Sequence, residues 1–266
     1  MGKIVLKQEF ITVKLADGRD ENVALLRNEN LSKFNANLLG LGDMGDISKP
    51  STQIDAIAAT FDLSGFTKFC SQIDPHLCVP EYLSRFLTWL FDEIRDEFIN
   101  ESYPQGKTLR ADLPFLAKFL GDGVLFLWDT ELMGPTEMGN VVISLSNICQ
   151  NYRGRFYPNI RKVVVDPPHS VRCGIARGKV FSVGNGEDYV GPCINIASRL
   201  QKLSLLTFCI SRRGFDFQSC MSKERYDDYA LKSVPLRGIG DEELVWVIKE
   251  EFNKLPTEEK AFFSDP

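Results

Sequence analysis

Two aspartates in this sequence each stand at the edge of a short apolar run, beside glycines or a turn. Asp62 ends the run that begins at Ile54, and Asp122 stands between Gly121 and Gly123. Two neighbouring carboxylates repel each other unless cations lie between them, and oxygen ligands of this kind favour Mg²⁺ or Mn²⁺. Two such ions can activate an attacking oxygen and neutralise a triphosphate. The pair predicts metal-assisted phosphate chemistry, whereas an isolated Asp-Gly turn indicates only a hairpin.

Groups suited to phosphate follow these acids along the chain. Asn195 and Arg199 are four residues apart and share one face of a predicted helix. Arg199 and Arg237 are able to make bidentate contacts to phosphate oxygens, although arginines are also common on any surface. A predicted helix start follows Asp62 directly, and the free backbone N–H groups at the start of a helix suit an anion. The alternative is a plain loop between strand and helix in which Ser64 caps the helix. The residues of this helix start are Ser64, Gly65, Phe66 and Thr67.

The elements that must position these groups alternate between strand and helix patterns. We predict an α+β fold with helices on a mostly antiparallel sheet and a ferredoxin-like or palm-like βαββαβ core. In such a core the first strand lies beside the hairpin of strands two and three, so Asp62 and Asp122 converge. The predicted elements are a strand over 54–62, a helix opened by Pro80 over 80–98, a hairpin over 115–129, a helix over 134–152, an irregular connection over 153–168, two strands over 171–175 and 179–183 that turn near Gly178, a strand over 206–211 and a hairpin over 235–248.

Length and composition limit the class of protein. We divide the 266 residues into an N-terminal extension and linker over 1–50, a catalytic domain over 51–250 and a charged C-terminal tail over 251–266. The net charge of −5 disfavours a partner held by phosphate neutralisation, such as nucleic acid. Seven cysteines without a Cys-x-x-Cys pair suit a reducing compartment. We see no signal or membrane-spanning segment, and we expect a cytoplasmic protein that is not bound to a membrane.

Four stretches in this order together resemble the catalytic domain of class III nucleotide cyclases, over roughly residues 52–250. They are Phe61-Asp-Leu-Ser-Gly-Phe-Thr67, Lys118-Phe-Leu-Gly-Asp122, Asp188 with Ile194-Asn-Ile-Ala-Ser-Arg199, and Arg237-Gly-Ile-Gly-Asp241. The resemblance implies a nucleoside triphosphate substrate, whose ribose 3′-oxygen attacks the α-phosphorus and releases pyrophosphate. It also implies two divalent cations per site, Mg²⁺ or Mn²⁺, and a homodimer in which each active site takes residues from both subunits.

The resemblance also implies roles for individual residues. Asp62, Leu63 and Asp122 would hold the metal ions, and Lys118 and Asp188 would read the base. Asn195 would orient the ribose, and Arg199 would stabilise charge on the α-phosphate. The triphosphate would bind Arg237, where the family usually has lysine, and the helix start of Ser64, Gly65, Phe66 and Thr67.

The identity of the base stays open at this point. Lys118 and Asp188 form a donor and acceptor pair that fits the edges of adenine, cytosine and uracil, and disfavours guanine. Phe119 and Tyr189 are candidates for the bulk that would exclude a purine. The chain is similar to stand-alone pyrimidine cyclases of bacterial anti-phage systems, which implies cyclic UMP made from UTP for a separate effector protein. The alternatives are an adenylate cyclase, a catalytically inactive cyclase-homology module, and a palm-type polymerase or diguanylate cyclase.

Overall fold

A computed structural model describes residues 9–25, 46, 48–100, 108–203 and 205–266 of the chain. The chain divides into two units. The first consists of Met1–Thr52 and Ser182–Tyr189, and the second consists of Gln53–Phe181 and Val190–Pro266. The predicted acids, arginines and helix start all belong to the second unit, with the exception of Asp188.

The first unit contains an antiparallel hairpin. Strand β1 (Glu9–Lys14) pairs with β2 (Asp20–Leu25), and Gly18 adopts a φ of 82° in the turn between them. Elsewhere in this unit, the backbone N–H of Thr52 donates a 2.8 Å hydrogen bond to the hydroxyl of Ser182. The hairpin lies within the N-terminal extension and linker predicted over residues 1–50, of which 1–8, 26–45 and 47 lie outside the described residues.

The main sheet has, in the described part of the chain, the strand order β11-β12-β10-β8-β3-β7-β6, and β9 pairs with β8 outside this path. Strand β3 is antiparallel to both β7 and β8, β6 is antiparallel to β7, and β10 runs parallel to β8. The order β8-β3-β7-β6 is that of a βαββαβ core, so the predicted α+β fold is confirmed. The strands are β3 (Gln53–Leu63), β4 (Ile99–Asn100), β5 (Thr108–Leu109), β6 (Leu116–Phe119), β7 (Gly123–Asp129), β8 (Val171–Val183), β9 (Asp188–Val190), β10 (Phe208–Ser211), β11 (Tyr229–Leu236) and β12 (Gly240–Ile248).

Two long helices connect the strands of the core, and shorter ones follow. The longest described helix is α2, and no helix in the described part of the chain is long and apolar enough to cross a membrane. The helices are α1 (Phe66–Cys70), α2 (Pro75–Phe98), α3 (Pro135–Asn151), a π-helical turn (Tyr152–Phe156), α4 (Tyr157–Ile160), α5 (Pro192–Leu200), α6 (Phe217–Cys220), α7 (Lys223–Tyr226), α8 (Lys249–Lys254) and α9 (Thr257–Lys260).

The two faces of β3 have different partners because side chains alternate along a strand. Its large apolar residues, such as Phe61, point into the aromatic core formed with α2 and α3. The alternate residues, from Ala56 to Asp62, lie on the opposite face, against which α5 packs. That face is made of small residues: a Cβ on Gly174 of β8 would lie 2.2 Å from the carbonyl oxygen of Ala197 in α5. Asp62 therefore lies on the α5 face of the sheet, outside the aromatic core.

Three sequence-based boundaries were wrong. Residues 171–183 form one continuous strand, because Gly178 pairs with Ala56 in an unbroken ladder with β3. Helix α2 begins at Pro75, and Pro80 lies inside its first turns. The connection over 153–168 is mostly helical at its start and carries buried apolar side chains. These side chains are Phe156, Ile160 and Val164.

Substituting the glycines around Asp122 separates two effects on the stability of the fold, steric overlap and backbone strain. A Cβ on Gly123 would lie 2.0 Å from the carbonyl oxygen of Phe61, whereas Gly121 has open space but a φ of 98°. We expect Gly123→Ala to destabilise the fold by about 3 kcal/mol through steric overlap. Gly121→Ala should cost about 1–2 kcal/mol through backbone strain. Gly154→Ala is the control, because Gly154 has open space and an ordinary φ. Thermal melting measures all three, and an unchanged melting temperature for Gly123→Ala would contradict the close approach of β3 and β7.

Candidate active site

The hairpin of β6 and β7 places Asp122 at its turn. The backbone N–H of Leu120 donates a 2.8 Å hydrogen bond to the carbonyl oxygen of Gly123, which closes the turn. Gly121 takes the positive φ that this turn needs, and Gly123 is packed against the backbone of β3. Asp122 is half-buried between these two glycines. Its position is thus fixed by local turn geometry together with the pairing of β7 to β3.

The end of β3 brings Asp62 to the same place. Asp62 stands opposite Gly123 in the strand register, and the backbone N–H of Leu63 donates a 3.1 Å hydrogen bond to the carbonyl oxygen of Asp122. The negative charge of Asp122 contributes to raising the pKa of Asp62. The structure therefore brings together the two carboxylates that the sequence selected.

Asp62 also has a cationic neighbour that the sequence analysis missed. Arg172 stands directly opposite Asp62 on β8, and its Nη2 atom donates a 2.5 Å hydrogen bond to Oδ2 of Asp62. The Asp62 side chain is 6% exposed and that of Arg172 is 22% exposed. Burial raises the pKa of Asp62, the Arg172 guanidinium opposes this change, and Asp122 adds to it. The available signal was an arginine among the apolar residues that begin β8, Val171 to Ile175.

The donor set at this end of the sheet fits a hard divalent cation. It offers two carboxylates, Asp62 and Asp122, and the backbone at Leu63 that connects β3 to the following turn. The described residues contain no cluster of three or more histidine, cysteine or acidic side chains. Magnesium suits such a site, because it usually takes one or two carboxylates and completes its shell with water and substrate phosphates. Arg172 is a cation that already pairs with Asp62, and it would have to share or release that carboxylate when a metal ion binds.

The turn after Asp62 contains the predicted helix start. The N-cap residue of α1 is Gly65, which has a φ of 81°. The alternative from the sequence, in which Ser64 is the N-cap, is therefore wrong. The backbone N–H of Ser64 donates a 2.9 Å hydrogen bond to the carbonyl oxygen of Ser170. Phe66 and Thr67 then form the first residues of α1. This turn therefore follows Asp62 directly, as predicted.

Helix α5 presents Asn195 and Arg199 on its exposed side. Its opposite side is buried and packs on the sheet, where Gly174 allows the backbone of Ala197 to approach closely. Asn195 and Arg199 are both exposed and are separated by one helical turn, as the spacing predicted. The buried residues of this helix are Cys193, Ile196, Ala197 and Leu200.

Arg199 and Arg237 line one cavity of about 270 Å³. Arg237 lies in the turn between β11 and β12, far from α5 in the sequence. Lys202 lines the same cavity, and its positive charge lowers the pKa of Asp62 slightly against the larger effect of burial. The sequence analysis did not select Lys202, since it lies just beyond the quoted motif. The structure thus gathers three cationic side chains where the sequence proposed two.

The two residues proposed to read the base lie in different units. Lys118 is half-buried on edge strand β6, next to Phe119, which is 48% exposed. Asp188 is buried at the start of β9, and its Oδ1 accepts a 2.9 Å hydrogen bond from the backbone N–H of Tyr189.

Solved structures of cyclases are similar to this chain. The adenylyl cyclase CyaB from P. aeruginosa is 13% identical with a TM-score of 0.54, covering 75% of this chain and 96% of that one. The guanylyl cyclase Cya2 is 16% identical with a TM-score of 0.55, covering 75% and 94%. The chain has the fold of a class III nucleotide cyclase domain.

A third structure with this cyclase fold is the catalytic core of a rhodopsin-guanylyl cyclase with converted specificity, in complex with ATPαS. It is 16% identical with a TM-score of 0.52, covering 75% of this chain and 98% of that one. No family model matches the sequence, and no curated protein matches it. At these identities the similarity establishes the cyclase fold, and the activity has to be argued from the residues.

Proposed function

We propose that this chain is a nucleotide cyclase that converts a nucleoside triphosphate to its 3′,5′-cyclic monophosphate and pyrophosphate. The observation that carries the proposal is the placement of Asp62 and Asp122 at adjacent strand ends within a cyclase fold. The cavity that Arg199 and Arg237 line supports it, because guanidinium groups suit a polyphosphate. A catalytically inactive relative would not need both acids and Arg199.

The residues divide the work between positioning and charge stabilisation. Divalent cations, when bound by Asp62 and Asp122, would activate the ribose 3′-oxygen and neutralise the phosphates. The 3′-oxygen loses its proton and forms a bond to the α-phosphorus, while the bond from the α-phosphorus to the pyrophosphate oxygen breaks. Arg199 stabilises the charge that grows on the α-phosphate, and Asn195 orients the ribose. Arg237 and the turn of Ser64 to Thr67 hold the departing pyrophosphate.

The proposed active unit is a homodimer with two shared sites. In this arrangement one subunit supplies Asp62 and Asp122, and the other supplies the base and ribose contacts. A palm-type polymerase or diguanylate cyclase would share the paired acids without requiring Asn195 and Arg199 on one helix.

UTP is the substrate that we favour, with cyclic UMP as a messenger for a separate effector in anti-phage defence and a cytoplasmic location. Lys118 and Asp188 supply a donor and an acceptor, and the exposed ring of Phe119 offers bulk beside Lys118. The same donor and acceptor fit cytosine and adenine, so the size of the base decides the choice. The similar structures carry adenylyl and guanylyl cyclase names, and their identities are too low to assign a base to this chain.

One incubation tests the activity and the base together. We expect the purified protein with Mn²⁺ to convert UTP to a cyclic monophosphate, which mass spectrometry separates from linear and dinucleotide products. ATP, GTP and CTP are supplied in parallel, and ATP as the sole substrate would replace the pyrimidine assignment with an adenylate cyclase. Lys118→Ala should weaken discrimination among the four nucleotides, and unchanged selectivity would remove Lys118 from the base site. A dinucleotide or polymer product would contradict the proposed reaction itself.

Metal affinity should depend on pH in a direction set by Asp62. A proton and a metal ion compete for this carboxylate, and burial raises its pKa above the usual 3.8. Mn²⁺ affinity should therefore be highest at neutral pH and fall as the pH drops towards the raised pKa, by up to about tenfold per pH unit below it. Calorimetric titration with Mn²⁺ at a series of pH values measures this. Asp62→Asn should bind weakly and lose most of the pH dependence; a wild-type profile in this variant would contradict the assignment of Asp62.

A further inference from the structure

Lys202 is an exposed cation in a place that the proposed reaction leaves unassigned. It follows α5 directly, and its backbone N–H donates a 3.1 Å hydrogen bond to the carbonyl oxygen of Arg199. It lines the same cavity as Arg199 and Arg237. No salt bridge of its ammonium group occurs within the described residues, whereas Arg172, for example, is already paired with Asp62. Its charge is therefore available to a ligand in the cavity.

We propose that Lys202 is a third phosphate-binding residue of the site, which contacts the β- or γ-phosphate of the substrate beside Arg237. This proposal rests on the proposed function for the identity of the substrate. A lysine acts as a compact point charge, and it suits a phosphate oxygen whose exact position is set by the arginines. The cavity of about 270 Å³ is slightly smaller than most pockets for a whole ligand, which start at about 300 Å³, so it suits the phosphate chain better than a complete nucleotide.

Inorganic tripolyphosphate is the probe that tests Lys202 without relying on turnover. We expect Lys202→Gln to weaken tripolyphosphate binding by about 10-fold or more, the loss of one charged hydrogen bond, and to raise the KM for the nucleotide similarly. Lys202→Arg should retain most of the affinity, and Lys254→Gln is a control for loss of one exposed lysine. Unchanged binding in Lys202→Gln, alongside weakened binding in Arg237→Gln, would overturn the proposal. If Lys202 is required for tripolyphosphate binding but no nucleotide is cyclised, the proposed cyclase activity is wrong and the role of Lys202 in binding phosphate is retained.

The C-terminal segment over residues 256–266 provides an independent observation about the same cavity. Glu259 and Phe262 of this segment line the cavity together with the three cations. The segment returns to edge strand β11, where Ser233 and Ser264 exchange two backbone hydrogen bonds of 2.8 and 2.9 Å. Lys232 Nζ also donates a 2.6 Å hydrogen bond to Asp265. Residues expected to form a charged tail are thus docked beside the proposed phosphate site.

Most residues of the segment are exposed, including those that make these anchors. The Lys232–Asp265 pair has one partner that is 87% exposed, and exposed ion pairs contribute at most about 1 kcal/mol. The rings of Phe252 and Phe263 meet edge to face at 5.3 Å, and Phe262 is 62% exposed. Segments with little buried apolar surface open at low free energy. The segment is therefore able to leave the cavity without unfolding the sheet.

We infer that the C-terminal segment is an autoinhibitory gate, in which acidic Glu259 competes with the phosphates of the substrate. When the segment is docked, the mouth of the cavity contains a carboxylate and an aromatic side chain beside the three cations. When it is released, the three cations, which are exposed in both states, no longer have this carboxylate beside them, and a polyphosphate binds to them without that competition. The apparent affinity for substrate is then reduced by the fraction of molecules that are open.

A reversible crosslink tests the gate in the full-length chain. The Cα atoms of a hydrogen-bonded antiparallel pair lie about 5.5 Å apart, within the range for a disulfide, so Ser233→Cys with Ser264→Cys should form one. We expect the oxidised double variant to bind tripolyphosphate at least about 10-fold more weakly than its reduced form, since the open fraction falls. The single variant Ser233→Cys, treated with the same oxidant, controls for the native cysteines, of which five are buried.

A second variant keeps the gate testable if the crosslink distorts the strand. Glu259→Gln should bind tripolyphosphate more tightly than the parent, because it removes the competing charge and keeps the shape of the side chain. Glu258→Gln is the matched control, since Glu258 is the adjacent acid and does not line the cavity. Equal binding by the oxidised and reduced double variant, or tighter binding when oxidised, would overturn the gate. Neither result depends on whether the protein cyclises a nucleotide.

Discussion

We expect Asp62→Asn and Asp122→Asn each to lower turnover by about 100- to 1,000-fold or more, because each removes a group that would stabilise transition-state charge through bound metal ions. Asparagine keeps the shape of each side chain and removes the charge that a divalent cation needs. The loss should persist at saturating nucleotide and with Mn²⁺ in place of Mg²⁺. The measurement is the rate of cyclic nucleotide formation with the substrate identified by the four-nucleotide incubation.

A matched control separates this effect from a general loss of charge. Asp55→Asn removes an exposed carboxylate from the same strand as Asp62, seven residues earlier, and should keep turnover near that of the parent. Thermal melting and gel filtration check that the fold and the dimer are intact in all three variants. Parent-like turnover of either Asp62→Asn or Asp122→Asn with Mn²⁺ would refute the metal assignment.

Mixing two inactive variants should restore activity if the active sites are shared between subunits. In a heterodimer of Asp122→Asn with Arg199→Ala, one site receives both substitutions and the other receives neither. Random exchange gives half heterodimers with one intact site of two, so the mixture should reach about 25% of parent activity. Each variant alone should stay inactive, since Arg199 would stabilise the transition state in every site.

The matched control for the mixing experiment uses two residues of the same half-site. A heterodimer of Asp62→Asn with Asp122→Asn has one substitution in each site, so that mixture should stay inactive. Mass spectrometry of the intact complex verifies that heterodimers form in both mixtures. If heterodimers of Asp122→Asn with Arg199→Ala form without activity, the sites are not divided between subunits in the proposed way.

Much of the candidate site was predictable because its parts are local in sequence. The glycines that flank Asp122 favour a tight turn wherever two strands meet, and an apolar run that ends in Asp62 favours a buried strand with a carboxylate at its end. The spacing of Asn195 and Arg199 places both on one face of any helix. These features depend on the backbone preferences of a few neighbouring residues, and such preferences can be predicted from the sequence alone.

Errors arose where a local pattern had two solutions. Gly178 is a typical turn residue, yet here it lies within a continuous strand, because β8 pairs with β3 over the whole length of β3. Pro80 is a typical first residue of a helix, yet α2 begins five residues earlier at Pro75, which is an equally suitable first residue. The long-range pairing of β8 with β3 decided the first case, and a second local signal of the same kind decided the other.

By itself, the sequence determined the kinds of chemical groups present and the turns and helices that carry them. Only the tertiary structure decided which groups meet. Arg172 faces Asp62 across 110 residues of chain because β8 pairs with β3 in one particular register. Lys202, Arg237 and the C-terminal segment share a cavity because β11 lies at the edge of the sheet and leaves its backbone open to the returning chain. Strand register and edge pairing are long-range interactions, and no short stretch of sequence specifies them.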